Sequence, residues 1–99
     1  MNIEWDERKA ASNLLKHGIP FDVARQVFDD PFATSEMDRI VEGEERWRTI
    51  GRVGAATILF VAHTRLDADG EIYVRIISAR KANKQEVKFY DREISRHFS

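Results

Sequence analysis

Apolar positions recur along this chain with two periods, helical in its first third and strand-like from Arg46 onward. Asn2 to Trp5 alternates and predicts a short opening strand. Asp6 stands as an N-cap with Glu7 in the first turn, and Ala10, Ala11, Leu14 and Leu15 give residues 6–17 an apolar stripe. Lys16 and His17 fall in the last turn, where cations complement the helix dipole, and Gly18 is placed to stop the helix in a left-handed conformation. Pro20 suits the first turn of a second helix, whose Phe21, Ala24, Val27 and Phe28 share one face until Asp29-Asp30-Pro31 ends it. Phe32 to Glu45 is polar and weakly patterned, and reads as a loop with at most a short strand near Ala33–Ser35.

Three strands are then predicted, at Arg46 to Val53, Ala56 to Arg65 and Ile72 to Ala79, all rich in β-branched and aromatic residues. Gly54 and the run Asp67-Ala68-Asp69-Gly70 supply the turns, so these strands form an antiparallel meander. Asn83 with Glu86 reads as a capping box opening a helix over about residues 84–96, with Val87, Tyr90 and Ile94 inward. The order β-α-α-β-β-β-α predicts an α+β fold, with helices on one face of an antiparallel sheet and the other face at least partly open. With 99 residues, a single domain spanning 1–99 is expected.

Composition narrows the chemistry. The sequence has no cysteine, which excludes disulfides, thiolate metal sites and a cysteine nucleophile, and fits a reducing cytoplasm. No apolar run reaches the length of a membrane span and MNIEWDERKA does not read as a signal peptide, so the expected location is cytoplasmic. The net charge of −1 conceals an asymmetry. Met1 to Glu45 carries 5 Lys/Arg against 11 Asp/Glu, and the remainder carries 11 against 6. A basic second half suits a phosphate backbone or an acidic partner, or else neutralises the first half across the fold.

Strand alternation places Arg46, Arg48 and Arg52 on one face of the first meander strand. The planar guanidinium can hold a phosphate through two hydrogen bonds, although charges on an edge strand also serve simply to prevent aggregation. The sequence Trp5-Asp6-x-x-Lys9-x-x-x-Asn13-x-x-Lys16-His17-Gly18-x-x-Phe21-x-x-Ala24-x-x-Val27-Phe28-x-Asp30 resembles the amino-terminal signature of BrnT-family toxins. Glu45-Arg46 followed by Ile50-Gly51 resembles the middle strand of that family, and Arg75-Ile76-Ile77-Ser78-Ala79-Arg80-Lys81-Ala82-x-x-x-Glu86-x-x-x-Tyr90 its carboxy-terminal signature. Pro20 replaces a small hydroxyl cap common in the family, and His63 stands where an aromatic such as tyrosine is expected.

The resemblance implies a RelE-like fold and cleavage of RNA with arrest of translation. It also implies a BrnA-like antitoxin that neutralises the toxin and represses the shared operon, so that DNA is bound only through the antitoxin complex. Metal-independent RNA cleavage uses the substrate 2′-hydroxyl as nucleophile and needs proton removal, charge stabilisation at phosphorus and protonation of the leaving oxygen. Arg80 is the first candidate phosphate clamp, against a purely structural helix-flanking cation. Arg46 and Arg75 follow as catalytic candidates, and Arg48, Arg65, Lys16 and Lys81 as RNA contacts, with pairing to the acidic half as the alternative for the arginines. His17 is a catalytic candidate or an ordinary C-terminal helix cation. Glu86 fits the capping box better than a general base, and Tyr90 fits core packing ahead of base stacking. No cofactor is expected and no metal, since His17, His63 and His97 lie in different elements without metal-ligand spacing. A catalytically inactive RelE-like module that only binds its antitoxin or RNA is the competing reading.

Overall fold

The computed structural model describes residues 1–98. Strand β1 (Asn2–Trp5) leads into α1 (Glu7–His17), where the Asp6 carboxylate accepts hydrogen bonds from the backbone N–H groups of Arg8 and Lys9. Gly18, with φ 72°, ends α1 and donates to the Leu14 carbonyl, as its position in the sequence predicts. The expected second helix is instead divided. Phe21–Ala24 forms a short α2, and Arg25–Asp29 continues as a 3₁₀ helix.

The main correction concerns the polar stretch read as a loop. Strand β2 (Thr34–Val41) pairs antiparallel with β3 (Glu44–Val53). Glu42 and Gly43 join them, both at positive φ (52° and 78°), the conformation a two-residue hairpin turn requires. β2 is an edge strand exposed along most of its length, so it has no face to bury and shows no alternation in sequence. β4 (Thr57–Thr64) pairs with β3 and with β6 (Glu71–Lys81), which gives the expected meander. The predicted turn after β4 contracts to Asp69-Gly70, because Leu66–Ala68 forms a short β5 on β6. The sheet order is β1-β6-β4-β3-β2, antiparallel except for β1 beside β6. Helix α3 (Lys84–His97) closes the fold, with the Asn83–Glu86 capping box in place.

The first two helices cover one sheet face. Phe21, Ala24 and Val27 meet Val53, Leu59, Val61, Ile76 and Ala79 there, and these residues form the buried core. Gly51 permits this contact. A Cβ at Gly51 would sit 3.0 Å from Val27 Cβ and 3.1 Å from the Val27 carbonyl oxygen, so the 3₁₀ helix rests directly on β3. Gly51→Ala is expected to destabilise the fold by about 1–3 kcal/mol, the usual cost of overpacking, as measured by urea unfolding.

Asn13 of α1 is the main polar tie within this layer. Its Nδ2 donates to the carbonyls of Ile19 (3.1 Å) and Ala79 (2.8 Å), and its Oδ1 accepts from the Ala79 N–H (3.0 Å). Pairing of β1 with β6 ends at Ile76, so Asn13 completes the β6 edge beyond that point.

The buried His63 forms a second polar chain. Its Nδ1 faces the Thr64 carbonyl at 2.9 Å, and a carbonyl can only accept, so Nδ1 carries the proton. Nε2 then accepts from the Thr49 hydroxyl at 2.7 Å, which in turn accepts from Ser35. The His63 ring packs edge-on against Phe28, so it fills the position where the resemblance expects an aromatic. Burial, assisted by the nearby Arg65 charge and opposed by the Thr64 hydrogen bond, holds the His63 pKa below its ordinary 6.5. The unfolded chain therefore takes up this proton first. The His63 contribution is complete above about pH 6.5 and is lost as pH falls toward the folded-state pKa. The melting temperature is expected to drop between pH 7.5 and 5, and less steeply in His63→Gln. Equal slopes in both proteins would contradict this assignment.

The expectation that all helices share one face is also corrected. α3 lies on the opposite face, where its Gln85, Glu86 and Phe89, with the cap residue Asn83, line a common cleft with Ile50 of β3 and Phe60 of β4. Tyr90 is 1% exposed, and its hydroxyl donates to the Asp30 carboxylate at 2.5 Å. Asp30 also accepts from the backbone N–H groups of Phe32 and Arg52. This one carboxylate therefore ties α3 to the end of the 3₁₀ helix and to β3.

Candidate active site

The face that α3 shares with open solvent carries most of the predicted arginines. Alternation along β3 brings Glu44, Arg46, Arg48 and Ile50 to it. Register then aligns Arg48 with Ala62 and Ser78, and Ile50 with Phe60 and Arg80. The result is a strip with Arg80 at one end, Arg46 and Arg75 at the other, and Arg48 between.

Arg80 is the most constrained of these. Its guanidinium lies 4.2 Å from the Phe60 ring centroid and makes two hydrogen bonds to Glu86, at 2.8 and 3.0 Å. Glu86 also accepts from the Asn83 backbone N–H, so the capping box and the arginine share one carboxylate. The hydrogen bond from Arg80 holds the Glu86 carboxyl below its ordinary range against the opposing effect of burial. The same bond raises the Arg80 pKa further above its ordinary value. Both groups are therefore charged at neutral pH, and Glu86 does not act as a general base while this pair holds.

At the other end, one carboxylate oxygen of Glu44 lies 2.7 Å from Arg75 and 3.4 Å from Arg46. The Arg46 Nε is buried and has no hydrogen-bond partner among the described residues. Arg48 pairs with Glu36 of β2 at 3.1 Å, with both side chains about half exposed. Glu44 is missing from the sequence-based candidates because the predicted strand starts at Arg46, whereas β3 starts at Glu44. The signal was present, since Glu44 lies two positions before Arg46 and therefore on the same strand face.

Other predicted residues lie elsewhere. Arg65 is on the opposite face, its guanidinium 5.2 Å from the Trp47 ring centroid and bonded to Asp67. Lys81 alternates away from Arg80 at the exposed end of β6. Lys16 and His17 are exposed at the end of α1, on the layer covering the far face. Tyr90 is enclosed beneath α3. Burial, together with the hydrogen bond to Asp30, pushes its pKa up to about 12, so its hydroxyl stays protonated. Asp30 stays ionised because these hydrogen bonds outweigh the burial that would raise its pKa. Among the described residues no group of three or more His, Cys, Asp or Glu side chains converges as a metal site. No helix among them is long and apolar enough to cross a membrane.

The arrangement is a strip of four guanidinium groups, each paired with a carboxylate of Glu36, Glu44 or Glu86, with the Phe60 ring under Arg80. Guanidinium groups placed this way can share or exchange those carboxylates for other anions. A family model described as the ribonuclease toxin BrnT of type II toxin-antitoxin systems matches residues 5–86. The chain belongs to the BrnT family. No curated protein matches it. The BrnT match runs from the end of β1 into the first turn of α3, and so includes Glu44, Arg46, Arg48, Arg75, Arg80 and Glu86. Membership of a type II family also carries an antitoxin partner.

Proposed function

We propose that this BrnT-family chain is an endoribonuclease that cuts RNA on the arginine strip without a metal and so arrests translation. The observation that carries this reading is the clustering of Arg46, Arg48, Arg75 and Arg80 on one sheet face, with Arg80 fixed between Phe60 and Glu86. In this reading the substrate 2′-hydroxyl gives its proton to water and attacks the neighbouring phosphorus to form a 2′,3′-cyclic phosphate, and the 5′-oxygen of the next nucleotide leaves, taking a proton from water. Arg80 holds the scissile phosphate and stabilises the charge that develops on its oxygens. Arg46 and Arg75 hold a second phosphate, which shares their guanidinium groups with Glu44. Arg48 lies between them, paired with Glu36. His17 lies too far round the fold to join this set and is left out of it.

A small BrnA-like antitoxin neutralises the toxin by covering the strip, and operon DNA is contacted through that antitoxin. Both protein and substrate are placed in the cytoplasm. Inducible expression in a bacterium tests the reading. Growth arrest accompanied by new RNA 5′ ends mapped by primer extension supports it. Arrest without new ends overturns cleavage. That result would favour the reading as a binding module, which draws on the carboxylates already occupying Arg75, Arg46 and Arg80.

A further inference from the structure

Beside Arg80 lies a cleft of about 280 Å³ between α3 and the sheet. Ile50, Phe60 and Phe89 form its apolar part, and Arg48, Glu36 and Gln85 stand among its polar lining. The volume lies just below the range of roughly 300–1,000 Å³ typical of drug-sized ligands, so it suits one flat heterocycle rather than a longer segment. Two residues of the Arg80 clamp also line the cleft. Phe60 carries the Arg80 guanidinium over its ring, and Glu86 bonds that guanidinium from the side. A ligand seated here is thus one side chain away from a phosphate on Arg80.

Taking the ribonuclease reading as its basis, we infer that this cleft is a base-binding site that takes guanine next to the phosphate held by Arg80. Proteins read unstacked RNA bases by placing them on aromatic side chains and bonding their edges. Phe60 and Phe89 provide the aromatic surface. The edge-reading groups are Arg48 and Glu36, which lie 3.1 Å apart as a donor beside an acceptor. The Watson–Crick edge of guanine presents an acceptor, O6, followed by two adjacent donors, N1–H and N2–H. Arg48 can donate to O6 while the Glu36 carboxylate accepts from both donors. Adenine, cytosine and uracil do not place two adjacent donors on that edge, so each would leave a carboxylate oxygen unmatched or facing another acceptor. Opening the Arg48–Glu36 pair to admit the base costs little, because both side chains are about half exposed.

The test is calorimetric titration of the partner-free chain with the 3′-monophosphates of guanosine, adenosine, cytidine and uridine. Guanosine 3′-monophosphate is expected to bind at least about tenfold more tightly than the other three, the lower part of what one bidentate base contact supplies. Glu36→Gln removes one carboxylate acceptor from a side chain about half exposed, and should collapse that preference. Arg80→Ala should weaken all four nucleotides alike, since each carries the same phosphate. Equal affinity for the four, or a guanosine preference untouched by Glu36→Gln, overturns the base site. No binding by any nucleotide overturns it too, even if the chain cuts RNA, and leaves the ribonuclease reading standing. Guanosine preference in a chain that cuts no RNA has the opposite meaning, retaining the base site and removing the cleavage.

Discussion

Arg80→Ala is expected to lower kcat/KM for RNA cleavage by about 10²–10³-fold, the scale seen when one preorganised charge-stabilising donor is removed. Cells expressing the variant at equal level should keep growing. The size of the effect follows from how firmly Arg80 is held. Two bonds to Glu86 and the Phe60 ring fix the plane of its fork before any substrate arrives, so little reorganisation is needed during reaction. Loss of fold is a separate outcome and should be small. The Arg80 side chain is 37% exposed, and exposed or part-exposed ion pairs contribute at most about 1 kcal/mol. An unchanged circular dichroism spectrum and an unchanged urea midpoint would show that the domain is intact. Full toxicity of Arg80→Ala would remove this residue from the cleavage machinery.

The largest expected effect on stability belongs to Asn13. Asn13→Ala should cost about 3 kcal/mol, because it leaves the Ala79 N–H and the carbonyls of Ala79 and Ile19 without their partner in a buried setting. For a domain of this size that corresponds to a fall in Tm of roughly 12 °C or more. Asn13→Asp should be at least as damaging, since it turns a carboxylate oxygen toward two carbonyl oxygens that now receive a donor. Urea unfolding measures both variants. A loss below about 1 kcal/mol for Asn13→Ala would show that water replaces the side chain and that α1 is not tied to β6 through it.

Elements with local punctuation were legible in the sequence. Asp6 and Gly18 bound α1, and Asn83 with Glu86 opens α3, because each group acts on backbone within a few residues. Strands β3 and β4 were legible from their composition and turns. Long-range relations were not. β2 carries no burial pattern, since it lies at an exposed edge, and its hairpin turn at Glu42-Gly43 looks like any polar loop. The side of the sheet taken by α3 depends on the short link after Lys81 and on Tyr90 finding Asp30, a partner 60 residues away. Part of the candidate site was readable because alternation alone groups Arg46 with Arg48. Grouping them with Arg75 and Arg80 needed the β4–β6 register, in which a shift between Ala62 and His63 intervenes. Glu86 illustrates the limit. The sequence gives it one role, as the Asn83 cap, and the fold adds a second by bringing Arg80 against it.

Cleavage of total RNA by the purified, partner-free chain in EDTA, run beside Arg80→Ala, tests the central claim most directly. Cleavage by the wild type with loss of that activity in the variant is the predicted result. Equal cleavage by both proteins, or cleavage by the wild type that disappears when EDTA is added, would contradict a metal-free ribonuclease centred on Arg80.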